Sequence, residues 1–175
     1  VATAFATYAF VPSGLSAHLL AIFTRAGIDS GTVVWLGALL RPAPVGTRLV
    51  EFAFSRNLHP LLVARFALSV LLCAFLMLAL TGFSIPTAAA FALMFGGANG
   101  LITITRGAVP LALFGGAGYG RLLGRLAGPW LLMQAAAPTV MAFVVDRASD
   151  PAALALAAAF VAVALVCFVL IRRPQ

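Results

Sequence analysis

Six long apolar stretches, separated by short polar turns, constrain the fold of this chain more than any other feature. Each is close to the roughly 20 residues that an α-helix needs to cross a bilayer. Of the 175 residues, 63% are hydrophobic and only 9% are charged, whereas soluble domains carry about 25% charged residues. The sequence therefore predicts an all-α membrane protein with one six-helix domain. The expected spans are about 2–24, 30–50, 60–80, 87–105, 119–145 and 152–171.

Prolines are expected to interrupt or end some of these spans. Pro12, with the following Ser13 and Gly14, should break the first span, because a proline removes a backbone hydrogen bond and commonly kinks a helix. The fourth span is expected to end at Thr105. A loop that contains Arg106 and Pro110 should follow it.

The arginines indicate the orientation of these spans in the membrane. All eleven basic residues are Arg. Alternate loops place on one side Arg48, Arg56, Arg65, Arg106, Arg121, Arg125, Arg172 and Arg173. The other side receives only Arg25 and Arg147, with three of the four acids. The positive-inside rule makes the first side cytoplasmic, so both ends of this segment should lie there. The net charge of +7 is attributed to this topology and not to nucleic acid, and the expected partner is the lipid bilayer.

Two ionisable side chains inside the spans are candidates for substrate binding or coupling. Arg41 lies near mid-span beside Pro42, where a charge costs on the order of 3 kcal/mol on insertion scales. It predicts an anion site or a partner for a carboxylate; the alternative is compensation by carbonyls freed around the prolines. His18 could titrate in a proton pathway. The alternative is a hydrogen bond between His18 and a neighbouring helix.

Uncharged polar side chains add two further candidates. Asn99 and Gln134 lie within the fourth and fifth spans. Both substrate contact and interhelical hydrogen bonding fit such residues. Tyr8 and Thr103 are weaker candidates of the same kind.

Glycines recur at helical spacing in two places. On a helix, residues four apart lie one above the other, and small residues there let helices approach closely in lipid. We therefore expect helix packing at Gly96, Gly100, Gly116, Gly120, Gly124 and Gly128. The run does not form a phosphate-binding loop, because Arg121 and Leu122 stand where that motif needs Lys and a hydroxyl residue.

Motifs for catalysis or metal binding are absent from the sequence. His18 and His59 lie far apart with no nearby cysteine, so neither a metal nor another cofactor is expected. The run from Gly14 to His18 lacks the second glycine of a nucleophile elbow. The chain is not expected to be an enzyme.

The run ANGLITITRGAVPLALFGGAGYGRLLGRLAGP, preceded by LGALLRPAPVGTRLVEF, resembles the second half of major facilitator superfamily transporters. The motifs that carry the resemblance, which covers the whole chain, are Asn99-Gly100, Arg106-Gly107, Pro110 and Gly118-Tyr119-Gly120. Members of that superfamily have two six-span halves built from inverted three-span repeats. The resemblance implies that a first six-helix half is missing here and is a partner. It also implies that spans one, two, four and five flank a central cavity.

The resemblance further implies secondary active transport of a small solute by alternating access, as in a permease or efflux protein of the bacterial inner membrane. Arg48 and Arg56 would lie in a cytoplasmic loop where charged residues latch the halves, and Arg106, Arg121 and Arg125 would mark the same side. Two alternatives remain: a six-span membrane enzyme and a membrane scaffold that transports nothing.

Overall fold

The computed structural model describes residues 1–40, 43–47 and 58–171, and every regular element in that part is a helix. The elements are α1 (Ala2–Arg25), α2 (Ser30–Leu39), α3 (Pro60–Thr81), α4 (Ile85–Phe114), α5 (Tyr119–Arg147) and α6 (Asp150–Leu170). Residues 43–47 are also helical. All of these except α2 and 43–47 are long and apolar enough to cross a membrane. The predicted all-helical fold is confirmed for the described residues, and the five long apolar helices are consistent with the predicted membrane protein.

The second span is described only in part. The ten residues of α2 are too few to cross a bilayer, and Arg41, Arg48 and Arg56 lie outside the described residues. A sixth membrane span therefore stays a prediction.

Two predicted interruptions are wrong. α1 runs through Pro12 without a break, and α4 continues beyond Thr105 to Phe114. Arg106 and Pro110 thus lie in a helix and not in a loop. A proline inside a helix forfeits one backbone hydrogen bond, and membrane helices tolerate this where neighbouring groups satisfy the freed carbonyl. α4 ends where Gly115 adopts a φ of 76°, which favours glycine.

Several helix starts, although not those of α1 and α5, are fixed by side chains that accept hydrogen bonds from otherwise unpaired backbone N–H groups. The Asp29 carboxylate accepts from the first turn of α2. Ser84 and Thr87 form a reciprocal capping box at the start of α4, and the Ser149 hydroxyl accepts from Ala152 N at the start of α6. Polar residues at the ends of apolar runs therefore set the boundaries of the helices.

α1 is the central helix of the bundle. It packs against α2, α5 and α6, while α3 packs against α4 and α6. Aromatic contacts join these layers: Phe10 stacks on Phe160 of α6 with ring centroids 4.1 Å apart. Phe75 of α3 meets Phe91 of α4 edge to face at 5.2 Å. In its most apolar stretch α5 is only 11% buried, against 33% or more in the other four long helices. α5 therefore leaves a wide face uncovered by the described chain.

Polar contacts at the helix ends show which ends lie together. The Arg25 guanidinium donates to both carboxylate oxygens of Asp150 at 2.7 and 2.8 Å, which joins the end of α1 to the start of α6. Arg65, near the start of α3, donates to the carbonyls of Phe168, Val169 and Ile171 at the other end of α6. Those carbonyls have no partner within the helix.

The glycines behave differently in the two places. A Cβ on Gly96 would lie 2.7 Å from Ala43 Cβ, and one on Gly100 would lie 2.7 Å from the carbonyl oxygen of Pro44. Segment 43–47 therefore packs so closely against α4 that a Cβ at either glycine would overlap it. A Cβ on any glycine of the second set would meet no atom of the described residues within 4 Å, and these glycines are Gly116, Gly120, Gly124 and Gly128. No described helix packs against this second set of glycines, so helix packing there stays a prediction.

Candidate functional site

A polar cavity of about 260 Å³ lies between α1, α4 and α5. α1 contributes two hydroxyl groups, α4 an amide, a hydroxyl and a guanidinium, and α5 an indole and an amide. These residues are Ser13, Ser16, Asn99, Thr103, Arg106, Trp130 and Gln134, with Pro12 beside them. In a chain this apolar, such a convergence from three helices marks the candidate site.

The cavity lies near the middle of the helices that form it. Ser13 is close to the centre of the 24-residue α1, Asn99 to that of the 30-residue α4 and Gln134 to that of the 29-residue α5. If these helices cross the bilayer, the three side chains lie near its midplane, where unsatisfied polar groups are costly.

On α4 the polar residues form a stripe along one face. Asn99, Thr103 and Arg106 are spaced i, i+4 and i+7, which brings them to the same side of a helix. The buried Tyr8 of α1 donates its hydroxyl hydrogen to Asn99 Oδ1 at 2.6 Å. This bond fixes the Asn99 oxygen, so that its NH₂ group is the part left to interact with the cavity.

On α5 an indole and an amide are linked. Trp130 Nε1 donates to Gln134 Oε1 at 3.1 Å, one turn along the helix. Across the cleft, the Arg106 Cζ lies 4.6 Å from the Trp130 ring centroid, within the range of a cation–π interaction. Arg106 and Trp130 therefore bridge α4 and α5.

A proline creates one of the contacts across the cavity. Pro138 has no N–H, so the carbonyl of Gln134, four residues earlier, loses its helical donor. The Ser13 hydroxyl donates to that carbonyl at 2.7 Å. The bond satisfies a freed carbonyl at the centre of α5 and joins α5 to α1.

Two further cavities extend the site into a cleft. One of about 600 Å³ shares Thr103, Arg106 and Trp130 and adds apolar walls from Phe5, Leu123, Leu126 and Ala127, with Gly107 and Gly124 also lining it. Another of about 260 Å³ shares Ser16 and Asn99 and is otherwise mostly apolar, reaching α2 at Gly37. A separate apolar cavity of about 400 Å³ lies between α3 and α6. Of these four cavities, the ones that polar side chains line belong to the cleft between α1, α4 and α5.

The candidates for substrate contact divide into three groups. Asn99 and Gln134 meet at the cavity. His18 is half-buried on α1, but it follows Ser16 by two residues, which turns it about 200° away around the helix. Arg41 lies outside the described residues. Binding by any of them stays a prediction.

The arginines assigned to the cytoplasmic side also divide. Arg121 and Arg125 are exposed in the first two turns of α5, and Arg48 and Arg56 lie outside the described residues. Arg106 lines the cavity. Its placement differs from the expected loop because α4 continues past Thr105.

Several members of the cavity were not predicted from the sequence. Ser13 was considered only as part of a break and Ser16 only within the incomplete nucleophile elbow, and Trp130 was not considered. The signal lay in helical spacing: Arg106 follows Asn99 by seven residues, and Trp130 precedes Gln134 by four, so each pair shares a face.

Metal binding finds no support in the described part of the chain, since no group of three or more His, Cys, Asp or Glu side chains comes together there. The chemistry that the cleft offers is hydrogen bonding by amides and hydroxyls and charge attraction by one guanidinium.

No protein-family model and no curated protein sequence matches this chain. Its function is therefore inferred from the geometry of the cleft.

Proposed function

We propose that the chain is the six-helix half of a major facilitator superfamily transporter and moves a small solute across the cell membrane by alternating access. The observation that supports this function is the convergence of polar side chains from α1, α4 and α5 at mid-helix depth. Polar groups at that depth are expensive in lipid and are generally found where they face a cavity or a solute pathway. Sites for transported solutes typically lie near the bilayer midplane.

The distribution of prolines and polar groups supports the same function. The helices around the cleft contain Pro12, Pro110, Pro129 and Pro138 in their interiors. α3 and α6 have no proline beyond their first turns, and the cavity between them is apolar. Prolines within the helices around a polar cleft fit a transporter fold, in which prolines and glycines are frequent in the segments that form the solute site. In this proposal the cleft faces the missing six-helix half, and Arg121 and Arg125 lie on the cytoplasmic side.

The alternatives make different demands on the cleft. An enzyme would need a metal or an activated nucleophile, and the described side chains of the cleft provide hydrogen-bonding groups and one arginine instead. A scaffold would need the cleft only for packing, so replacing an exposed cavity residue would change no flux.

Dye flux from proteoliposomes tests the proposal. Vesicles that contain the full-length protein, with both six-helix halves of this proposal, are loaded with carboxyfluorescein, an anion, or ethidium, a cation, and release is compared with that from protein-free vesicles. We expect protein-dependent release of at least one dye. Gln134→Leu, which removes the amide at nearly constant volume, should lower that release about tenfold, as expected when a polar solute loses a hydrogen bond.

Ser69→Leu is the matched control. It also replaces an exposed polar residue with leucine, but on α3, away from the cleft. Release of neither dye above the protein-free level, or equal release from Gln134→Leu and Ser69→Leu vesicles, would contradict the proposed transport site.

A further inference from the structure

Arg106 lies deeper along its helix than a residue at the membrane surface would. It precedes the last residue of α4 by eight positions, a rise of about 12 Å. It follows Asn99, at the centre of the helix, by about 10 Å. A guanidinium at such depth is found facing a bundle interior or a water-filled cavity, and Arg106 lines two of the cavities of the cleft.

An aromatic ring of α5 holds this guanidinium in place. The Trp130 indole lies 4.6 Å from Arg106 Cζ, and the indole is itself held by Gln134. Within the described residues Arg106 forms neither a hydrogen bond nor an ion pair through its side chain; the single ion pair there is Arg25–Asp150. With no hydrogen-bond partner among the described residues, the N–H groups of this guanidinium are available to a ligand, and their fork matches the two oxygens of a carboxylate.

The acids of the chain do not neutralise this charge in the described structure. Asp29 caps the start of α2, and Asp150 is paired with Arg25. Asp146 lies 16 residues beyond Trp130 on α5, a rise of about 24 Å. Glu51, the fourth acid, lies outside the described residues and is tested below.

Apolar side chains line the cleft on one side of Arg106. The larger cavity that Arg106 shares with Trp130 is walled by Phe5, Leu123 and Leu126. A ligand with its charge at Arg106 would have carbon and aromatic surface around the rest of it, from which burial of an apolar body gains free energy.

We infer that Arg106, seated on Trp130, binds the carboxylate of a small organic anion whose apolar body lies against Phe5 and Leu126. The inference rests on the proposed function in taking the cleft as the solute site. It goes further by naming the chemical class of the solute and the residue that selects it.

Direct binding tests this without any transport. The chain has two tryptophans, and Trp35→Phe, on the exposed face of α2, leaves Trp130 as the only one. The purified variant is placed in phosphatidylcholine nanodiscs. Its emission is then titrated with cyclohexanecarboxylate, the neutral cyclohexanecarboxamide and the cationic cyclohexylmethylamine. We expect a saturable change with the carboxylate, and a dissociation constant roughly tenfold or more higher for the other two.

Arg106→Gln, added to Trp35→Phe, should itself shift Trp130 emission, because it removes the cation from the ring. That shift validates the reporter. The same variant should bind the carboxylate roughly tenfold or more weakly. Arg147→Gln is the matched control, because Arg147 lies over Phe143 at 5.7 Å at the far end of α5; it should bind as Trp35→Phe does.

Three results would overturn the inference: no saturable response to the carboxylate, equal affinity for the three ligands, or carboxylate affinity unchanged in Arg106→Gln. A Glu51→Gln variant tests the fourth acid as a counter-ion of Arg106. If its emission without ligand shifts as that of Arg106→Gln does, Glu51 is the counter-ion and the inferred carboxylate site is wrong. Carboxylate binding without dye flux would instead contradict the proposed transport and leave the anion site standing.

Discussion

The close approach of segment 43–47 to α4 makes Gly100→Ala the sharpest test of the fold. The added Cβ would lie 2.7 Å from the carbonyl oxygen and 2.8 Å from the Cα of Pro44. Carbon atoms in ordinary contact are about 3.5–4.0 Å apart, so the overlap is close to 1 Å. Both atoms belong to the backbone, which cannot move aside as a flexible side chain can.

The expected magnitude follows from two opposing terms. Overpacking of this kind costs about 1–3 kcal/mol of unfolding free energy, while replacing glycine by alanine inside a helix gains about 0.8–1.0 kcal/mol. Gly124→Ala gains the second term alone, because a Cβ there meets no atom of the described residues within 4 Å. The difference in stability between the two variants therefore isolates the overlap at about 1–3 kcal/mol.

Thermal unfolding of both purified variants, followed by circular dichroism, measures this difference. At about 2–4 °C per kcal/mol for a chain of this size, Gly100→Ala should unfold roughly 2–12 °C below Gly124→Ala. Equal melting temperatures, or a lower one for Gly124→Ala, would refute the packing of 43–47 on α4.

Three further substitutions probe the contacts of the bundle. Ser13→Ala should lower the free energy of unfolding by about 1 kcal/mol, because it leaves the Gln134 carbonyl without a donor. Adding Pro138→Ala should restore that stability, because the new N–H bonds to the same carbonyl within α5. If thermal unfolding shows no recovery in the double variant, this explanation is wrong. Arg65→Leu should cost about 1–3 kcal/mol and speed amide hydrogen exchange in the last turn of α6, an effect that the lysine variant should reduce. Tyr8→Phe should lower the free energy of unfolding by about 1 kcal/mol, because it removes the donor to Asn99 Oδ1. A melting temperature unchanged from wild type would show that this hydrogen bond contributes nothing to stability.

Much of the helical architecture could be predicted because the length of an apolar run and the polar turn that follows it are local features of the sequence. The starts of α3 and α5, at Pro60 and Tyr119, were predicted at the residue where each helix begins. The end of α4 was not, because Pro110 looks the same in sequence whether it ends a helix or is accommodated within one. Only the surrounding packing decides this.

The site was partly predictable for a similar reason. Asn99 and Gln134 could be chosen because they are polar residues in apolar surroundings. The position of Arg106 depended on how far α4 extends, and the role of Ser13 depended on a carbonyl 121 residues away that Pro138 frees. The glycine spacing likewise indicates a contact surface but not the helix that would cover it. A Cβ on Gly96 would meet Ala43, whereas one on Gly124 would meet no atom of the described residues within 4 Å.

The central position of α1 has a consequence for biosynthesis. Its hydroxyl at Ser13 and its guanidinium at Arg25 bond to residues 121 and 125 positions later. At a synthesis rate of about 5–20 residues per second, those partners emerge from the ribosome about 6–25 s after α1 does. During that interval these two groups of α1 lack the partners that they have in the complete bundle. α1 is thus made before the other described helices but gains these contacts only after α5 and α6 have been made, and a chain truncated before α5 should lack both contacts.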